Sequence, residues 1–343
     1  MKNENKKEEA GLTNKYFLYV GTVLVAGLLF YLGFFMGQKS SPQIKEDNSD
    51  TQTKEIRQSG YNFINPLLEC EVDNSSPILK SSELKIKKTI QEDIVEKNPD
   101  ADIALYYRDL KNGPAFGINE QAQYSPASLL KVPLMIAYYK YAENDPDIFK
   151  KEVLFDHASD NFTQQFQSKN HIEPGKKYTI EQLMEAMIKY SDNEATNLLF
   201  QNMNSDDLNS IFSDLGISAP DMYNPDNSIS VKDYASFFRI LYNASYLSRT
   251  SSEKALGLLS MVEYKNGIVS GVPSNTMISH KFGERESLSK DGKAIRQLHD
   301  CGIVYHPDRP YLICVMTRGK NFENLSNILV DISKIIYQEI NER

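Results

Sequence analysis

Ser128 and Lys131 stand three residues apart in the run Tyr124-Ser125-Pro126-Ala127-Ser128-Leu129-Leu130-Lys131-Val132-Pro133. On a helix that spacing puts both side chains on one face, about one turn apart, where the amine can take the hydroxyl proton. The chemistry would be that of an activated serine nucleophile. By itself the pair is a common accident, and an exposed Ser and Lys on an amphipathic helix is the plain alternative. Two later stretches change the balance, Tyr190-Ser191-Asp192-Asn193 and His280-Lys281-Phe282-Gly283.

Each stretch needs an element to hold it. Ser125-Pro126 is a helix entry, which places Ser128 in a first turn whose free N–H groups and positive dipole end can meet an oxyanion. Thr179-Ile180-Glu181-Gln182 reads as a capping box opening a helix with Leu183, Met184, Met187 and Ile188 on its buried side. That helix would end by presenting Ser191, Asp192 and Asn193 on a turn, and a plain connecting turn is the alternative for them. On a strand, Ser279, Lys281 and Gly283 share one face and His280, Phe282 and Glu284 the other. The bland alternative for Lys281 is a surface lysine on an edge strand.

The wider pattern is α+β. A helix is expected over 83–97, a strand over 102–109, a turn at Asn112-Gly113, a further strand, and then the nucleophile helix. A mostly helical middle covers 127–264, strands return at 276–284, 299–306 and 311–318, and a helix closes the chain over 321–341. Strands from both ends with helices between them predict one antiparallel sheet flanked by helices, plus an inserted all-helical part. Leu325, Ile328, Leu329, Ile332, Ile335, Ile336 and Ile340 give the closing helix a stripe suited to lie on that sheet.

In order and spacing, the three stretches resemble the Ser-Xaa-Xaa-Lys, Ser-Asp-Asn and Lys-Thr-Gly signature of the penicillin-recognising serine enzymes, class A β-lactamases in particular. Ile103-Ala104-Leu105-Tyr106-Tyr107 and Asn193-Glu194-Ala195-Thr196-Asn197-Leu198-Leu199 extend the likeness, which covers roughly 84–343. The resemblance implies a two-part α/β-plus-α fold with the site in the cleft between the parts. It implies Ser128, Lys131, Ser191 and Lys281 as catalytic residues, with Ser191 passing a proton to the leaving nitrogen and Asp192 bonding backbone. Asn193 would bond the substrate's amide side chain, Gly283 would let the substrate approach, and Glu284 would give the second oxyanion N–H.

The chain departs from the pattern twice. Phe282 stands where the family has a Thr or Ser that bonds the substrate carboxylate, and Arg285 and Arg318 are the cations that could replace it. Class A enzymes deacylate with an Ω-loop Glu, whereas the corresponding run from Gly216 to Ser230 contains none. Asp221 and Asp226 are the acids available there as general bases.

The remaining sequence bounds the setting. A net charge of −8 argues against nucleic acid, and 41% hydrophobic residues allow an ordinary core. The polar segment 1–15 is read as a cytoplasmic N-terminus. Tyr16–Met36 holds no charge, and at about 1.5 Å per residue it just crosses a hydrocarbon core of about 30 Å, so a transmembrane helix is expected. A cleaved signal is the alternative, without a small-residue cleavage site to support it. Residues 37–60 read as a flexible tether. Residues 61–343 form the enzyme-like domain, with Tyr61 to Cys70 packed against it. The motif set places that domain outside the cytoplasm, on a single-pass anchor in the cell membrane.

Cys301 and Cys314 fall on two adjacent strands. A tight hairpin would set them diagonally, so they are expected as small buried hydrophobes rather than a disulfide. No zinc spacing exists, so no metal and no cofactor is expected. The expected partners are a β-lactam or a peptidoglycan peptide, and the chain is expected to be a monomer.

Three functions follow. The first is a membrane-anchored serine hydrolase of class A β-lactamase type, slow because the Ω-loop Glu is missing. The second is a penicillin-binding D,D-peptidase acting on cell-wall peptides. The third is a non-catalytic wall-binding domain.

Overall fold

The computed structural model describes residues 54–71, 81–111, 113–158, 164–166, 168–219, 228–289 and 291–342, all within one unit spanning Gln52–Arg343. The apolar run 16–36, read above as a membrane span, lies outside the described residues. Among the described residues, no helix is long and apolar enough to cross a membrane.

Of the span 37–60 expected as a flexible tether, residues 54–57 form a strand, and residues 37–53 lie outside the described residues. Strand β1 (Lys54–Arg57) pairs antiparallel with β2 (Leu67–Glu71), and Arg57 donates to the Asn65 carbonyl at 2.6 Å and to Asn243 Oδ1 at 3.0 Å. Between the two strands the Glu253 carboxylate accepts the N–H groups of Asn62, Phe63 and Ile64, at 2.8, 3.1 and 3.0 Å. Ile64 is buried and Phe63 meets Tyr305 edge-on, so this part of the stretch packs on the domain as predicted, whereas Leu68 is exposed.

Helix α1 (Ser81–Ile90) follows, extended by a π turn over Gln91–Val95. The sheet opens with β3 (Asp102–Asp109) and β4 (Ala115–Ile118), and the short strand β5 (Gln123–Tyr124) leads to the nucleophile stretch. A 3₁₀ turn over Ala127–Leu130 passes into α2 (Lys131–Ala142). The helical part contains the hairpin β6 (Glu152–Phe155) and β7 (Lys176–Thr179), then α3 (Ile180–Lys189), α4 (Asn193–Gln201) and α5 (Ser205–Asp214). Strand β8 (Ile229–Ser230), α6 (Val231–Tyr242) and α7 (Arg249–Leu259) complete it. The chain closes with β9 (Ile278–Leu288), β10 (Ala294–Val304), β11 (Tyr311–Gly319) and α8 (Phe322–Asn341).

The five-stranded sheet runs β4-β3-β11-β10-β9, antiparallel throughout, so the chain's two ends supply it together as expected. Leu325, Ile328, Leu329, Ile332, Ile336 and Ile340 of α8 are all buried, so the stripe covers apolar area as its spacing required. The capping box on α3 is formed, with the Thr179 hydroxyl accepting the Gln182 N–H at 3.2 Å and the Gln182 side chain accepting the Thr179 N–H at 2.9 Å.

One expectation fails. Cys301 and Cys314 are direct partners in the β10–β11 ladder, their Cα atoms 3.9 Å apart, and they form a disulfide. The hairpin is not tight. Val304 pairs with Tyr311 across the loop 305–310, and that register sets the two cysteines opposite rather than diagonal.

Candidate active site

The nucleophile turn is fastened to the sheet through Ser125. Its N–H donates to Gln297 Oε1 at 3.1 Å, its hydroxyl accepts from Arg285 Nη1 at 2.7 Å, and its carbonyl accepts from His299 Nε2 at 2.9 Å. The Thr317 N–H in turn donates to His299 Nδ1 at 3.2 Å, which fixes a neutral ring protonated on Nε2. Burial is the main cause that brings His299 down to about 4, so the ring stays neutral at ordinary pH. Tyr234 on α6 donates its hydroxyl to the Leu129 carbonyl at 2.9 Å from the other side.

Ser128 lies half-buried on this turn, and the Lys131 N–H donates to the Ser128 carbonyl. Ala127, just before it, has φ +47°, and Ser191 has φ +57°. Both are left-handed positions that a residue with a Cβ takes up at a cost of about 1–3 kcal/mol. Such strain persists where the surroundings over-determine the backbone, and here it falls on two of the three motifs.

The three motifs meet at Ser191. Lys131 Nζ donates to the Ser191 carbonyl at 2.6 Å, to Ser191 Oγ at 3.1 Å and to Asn193 Oδ1 at 2.7 Å. Lys281 Nζ reaches the same Ser191 Oγ at 3.0 Å and also donates to the Phe282 carbonyl at 2.8 Å. Lys281 is wholly buried, which rules out the surface lysine of the bland reading, although β9 is the edge strand. Asp192 caps α4 by accepting the Ala195 N–H at 2.9 Å, and its other oxygen accepts the Ile172 N–H at 2.9 Å. It thus bonds backbone, as the resemblance implied.

Burial governs the charges here. It brings Lys131 down from 10.5 to about 7, against the pull of Asp192 and Glu284. Lys281 is held well below its ordinary value, first by burial and then by the neighbouring Lys131, against Asp300 and Glu284. An amine near 7 is a usable base at neutral pH, and the two lysines share one hydroxyl through which a proton can pass.

Gly283 is where β9 comes closest to the nucleophile turn. A Cβ there would lie 3.0 Å from the Pro126 carbonyl oxygen and 3.1 Å from the Leu129 nitrogen, so any larger residue would push the strand and the turn apart by a few tenths of an ångström. Glu284 follows it, half-buried, with Oε1 accepting the Phe166 N–H at 3.0 Å. Phe282 takes part in an aromatic cluster, stacked on Tyr264 with centroids 4.1 Å apart and edge-on to Phe166 at 6.4 Å.

Both arginines considered above as carboxylate partners have partners within the fold. Arg285 bonds Ser125, and Arg318 lies over the Tyr124 ring and donates to Asp102 and to the Gln123 carbonyl. Asp221 and Asp226 lie outside the described residues. No cluster of His, Cys, Asp and Glu able to hold a metal ion occurs among the described residues.

Sequence reasoning missed Gln164, whose Nε2 donates to the Ser191 carbonyl at 3.1 Å beside Lys131. It also missed the hold of Gln297 and His299 on Ser125, and it named Glu284 for its backbone N–H alone. None of these carries a local signal, since their partners are far away in sequence. Beside Asn193 a cavity of about 330 Å³, lined by Phe155, Gln164, Ile172, Tyr190 and Glu194 among others, offers room for a substrate side chain.

Known proteins resemble this chain in sequence and in fold. An extended-spectrum β-lactamase from Pseudomonas aeruginosa, PER-1, is 28% identical over 178 residues, a match that spans 46% of this chain and 56% of that protein. Among solved structures, a mutant of PBP-A captured as an acyl-enzyme complex with penicillin G shares the fold at TM-score 0.63 and 22% identity, over 76% of this chain and 97% of that one. A class A β-lactamase from Bacteroides cellulosilyticus DSM 14838 does so at TM-score 0.65 and 17% identity, over 77% and 100%. The sequence model of the β-lactamase enzyme family matches residues 85–340, which include all three motifs. With the motifs gathered at one buried hydroxyl and that match over most of its length, the chain belongs to the β-lactamase enzyme family, a family of serine hydrolases.

Proposed function

We propose that this protein is acylated on Ser128 by β-lactams and by D-Ala-D-Ala-type cell-wall peptides, and that it releases the acyl group slowly. The observation that carries this reading is the junction at Ser191, where Lys131 and Lys281 both donate to one hydroxyl at 3.1 and 3.0 Å. The Lys131 amine is bonded to Ser191 and Asn193 in the structure, and its neutral form, available near pH 7, gives up one of these bonds to take the Ser128 proton as Oγ attacks the amide carbonyl. The tetrahedral oxyanion is met by the N–H groups of Ser128 and Glu284. As the C–N bond breaks, Ser191 gives its proton to the leaving nitrogen and is recharged from the lysines. Asn193 bonds the substrate's amide side chain.

Deacylation is the weak step. The Gly216 to Ser230 run has no Glu, and a water attacking the acyl-ester needs a base. That observation favours, as a second reading, a penicillin-binding D,D-peptidase over a fast β-lactamase. The apolar run 16–36 supports a single-pass membrane anchor, and the cell-wall chemistry implied by the motif set supports a catalytic domain outside the cytoplasm.

The test is to incubate the full chain in detergent with a fluorescent penicillin and with nitrocefin, beside Ser128→Ala. A long-lived adduct on wild type, absent from the variant, with little nitrocefin turnover is the expected result. Equal labelling of both proteins, or none of either, removes Ser128 as the nucleophile.

A further inference from the structure

One charged group in the cleft has no part in the acylation chemistry above, the side chain of Glu284. Its Oε1 accepts the Phe166 N–H, while Oε2 is buried and has no hydrogen-bond partner among the described residues. The carboxylate lies within the fields of Lys131 and Lys281. An orphaned carboxylate oxygen near the two lysines is, when ionised, a negative charge with unused acceptor capacity.

The cations nearby are held in fixed directions by other partners, although a bond to a neutral group leaves their charge in place. Arg285 holds Ser125, and Arg318 holds Asp102 and the Gln123 carbonyl. Lys281 is wholly buried, its amine bonded to Ser191 Oγ and the Phe282 carbonyl. Phe282 brings a ring where a hydroxyl donor would have been useful. A carboxylate lying along β9 beyond Gly283 would sit beside Glu284, the residue that follows that glycine.

We infer that Glu284 determines specificity, turning the cleft away from substrates with a free carboxylate next to the scissile amide and toward those that are uncharged or cationic there. Amidated or cross-linked cell-wall peptides and neutral β-lactams belong to the favoured class, while penicillins and free D-Ala-D-Ala ends, which carry that carboxylate, still acylate Ser128 but about tenfold more slowly. The inference rests on acylation at Ser128, and it narrows that reading to a substrate class. Two unit charges about 6 Å apart at an effective dielectric near 20 change a rate constant by roughly 100-fold, and partial exposure reduces this to about tenfold.

Benzylpenicillin and its methyl ester form a matched pair for the test, since they share the lactam and differ in the one charge. The rate constant for acylation of Ser128 is measured for each by intact mass, on the full-length wild type and on Glu284→Gln, which keeps the shape and the acceptor for Phe166. The ester-to-acid ratio is expected to fall about tenfold in Glu284→Gln. Because the ratio is taken within one protein, partial unfolding lowers both rates and leaves it unchanged.

A second readout is pH. Burial raises Glu284 above the ordinary carboxylate range, against Lys131 on α2, Lys281 on β9 and the N–H groups of Phe166 and Gln165. The wild-type ratio should therefore move toward that of the variant as pH falls, while Glu284→Gln stays flat. An identical ratio in both proteins, with Ser128 labelled in each, overturns this inference and leaves the nucleophile intact. No labelling by either compound overturns both.

Discussion

Lys131 allows the sharpest numerical test. It is 3% exposed, and burial brings it from 10.5 to about 7. At pH 7 an amine at its ordinary value is neutral in about one molecule in three thousand, whereas one held near 7 is neutral in about half. The difference corresponds to about 5 kcal/mol between the two protonation states. Because the folded value is the depressed one, the free base accumulates from about pH 7 upward and is lost as pH falls. The rate constant for Ser128 acylation should thus rise about tenfold per pH unit below about 7 and level off above it. A neutral β-lactam ester, followed by stopped-flow or rapid-quench labelling from pH 5 to 9, keeps Glu284 from adding its own charge effect. Lys131→Arg cannot lose its proton in this range and should be at least about 100-fold slower, with no inflection. A wild-type rate that is flat from pH 5 to 8, or an Arg variant that keeps the inflection, would refute the assignment of Lys131 as the base.

Gly283→Ala would bring a methyl to 3.0 Å from the Pro126 carbonyl and 3.1 Å from the Leu129 nitrogen. Moving β9 off the nucleophile turn by a few tenths of an ångström should slow acylation about tenfold, measured by labelling beside a thermal melt that shifts less. His299→Ala leaves the Ser125 carbonyl and the Thr317 N–H without their partner, and urea denaturation should show a loss of about 2–4 kcal/mol. Reducing the Cys301–Cys314 bond opens a closed loop with a sequence separation of 13, so a melt with and without reductant should show a loss of up to about 3 kcal/mol. An unchanged melting temperature would mean that the hairpin alone fixes this register.

Much of the fold could be read from local patterns because the forces behind them are local. The Thr179 capping box, the α8 stripe and β3 over Asp102–Asp109 all depend on residues within a turn or two of one another. Strand ends were less legible. Strand β9 continues to Leu288 and β10 begins at Ala294, because cross-strand pairing carries both past the apolar residues that announce them. The cysteine pairing was misread for a related reason, since register across a loop is set by the whole ladder rather than by the loop's own residues.

For the site, it was the resemblance of three motifs to the signature of the penicillin-recognising serine enzymes that named Ser128, Lys131, Ser191, Asn193, Lys281 and Gly283, while the Ser–Lys spacing alone was a common accident. Sequence also gave notice of two departures, the phenyl ring at 282 and the missing acid between 216 and 230. What the sequence left open was environment. That Lys131 and Lys281 are both buried on one hydroxyl, that Arg285 is spent on Ser125, and that Glu284 keeps an unbonded oxygen are outcomes of packing between distant segments. Charge state and hydrogen-bond partners depend on how much water the folded chain excludes, and only the tertiary structure decides that.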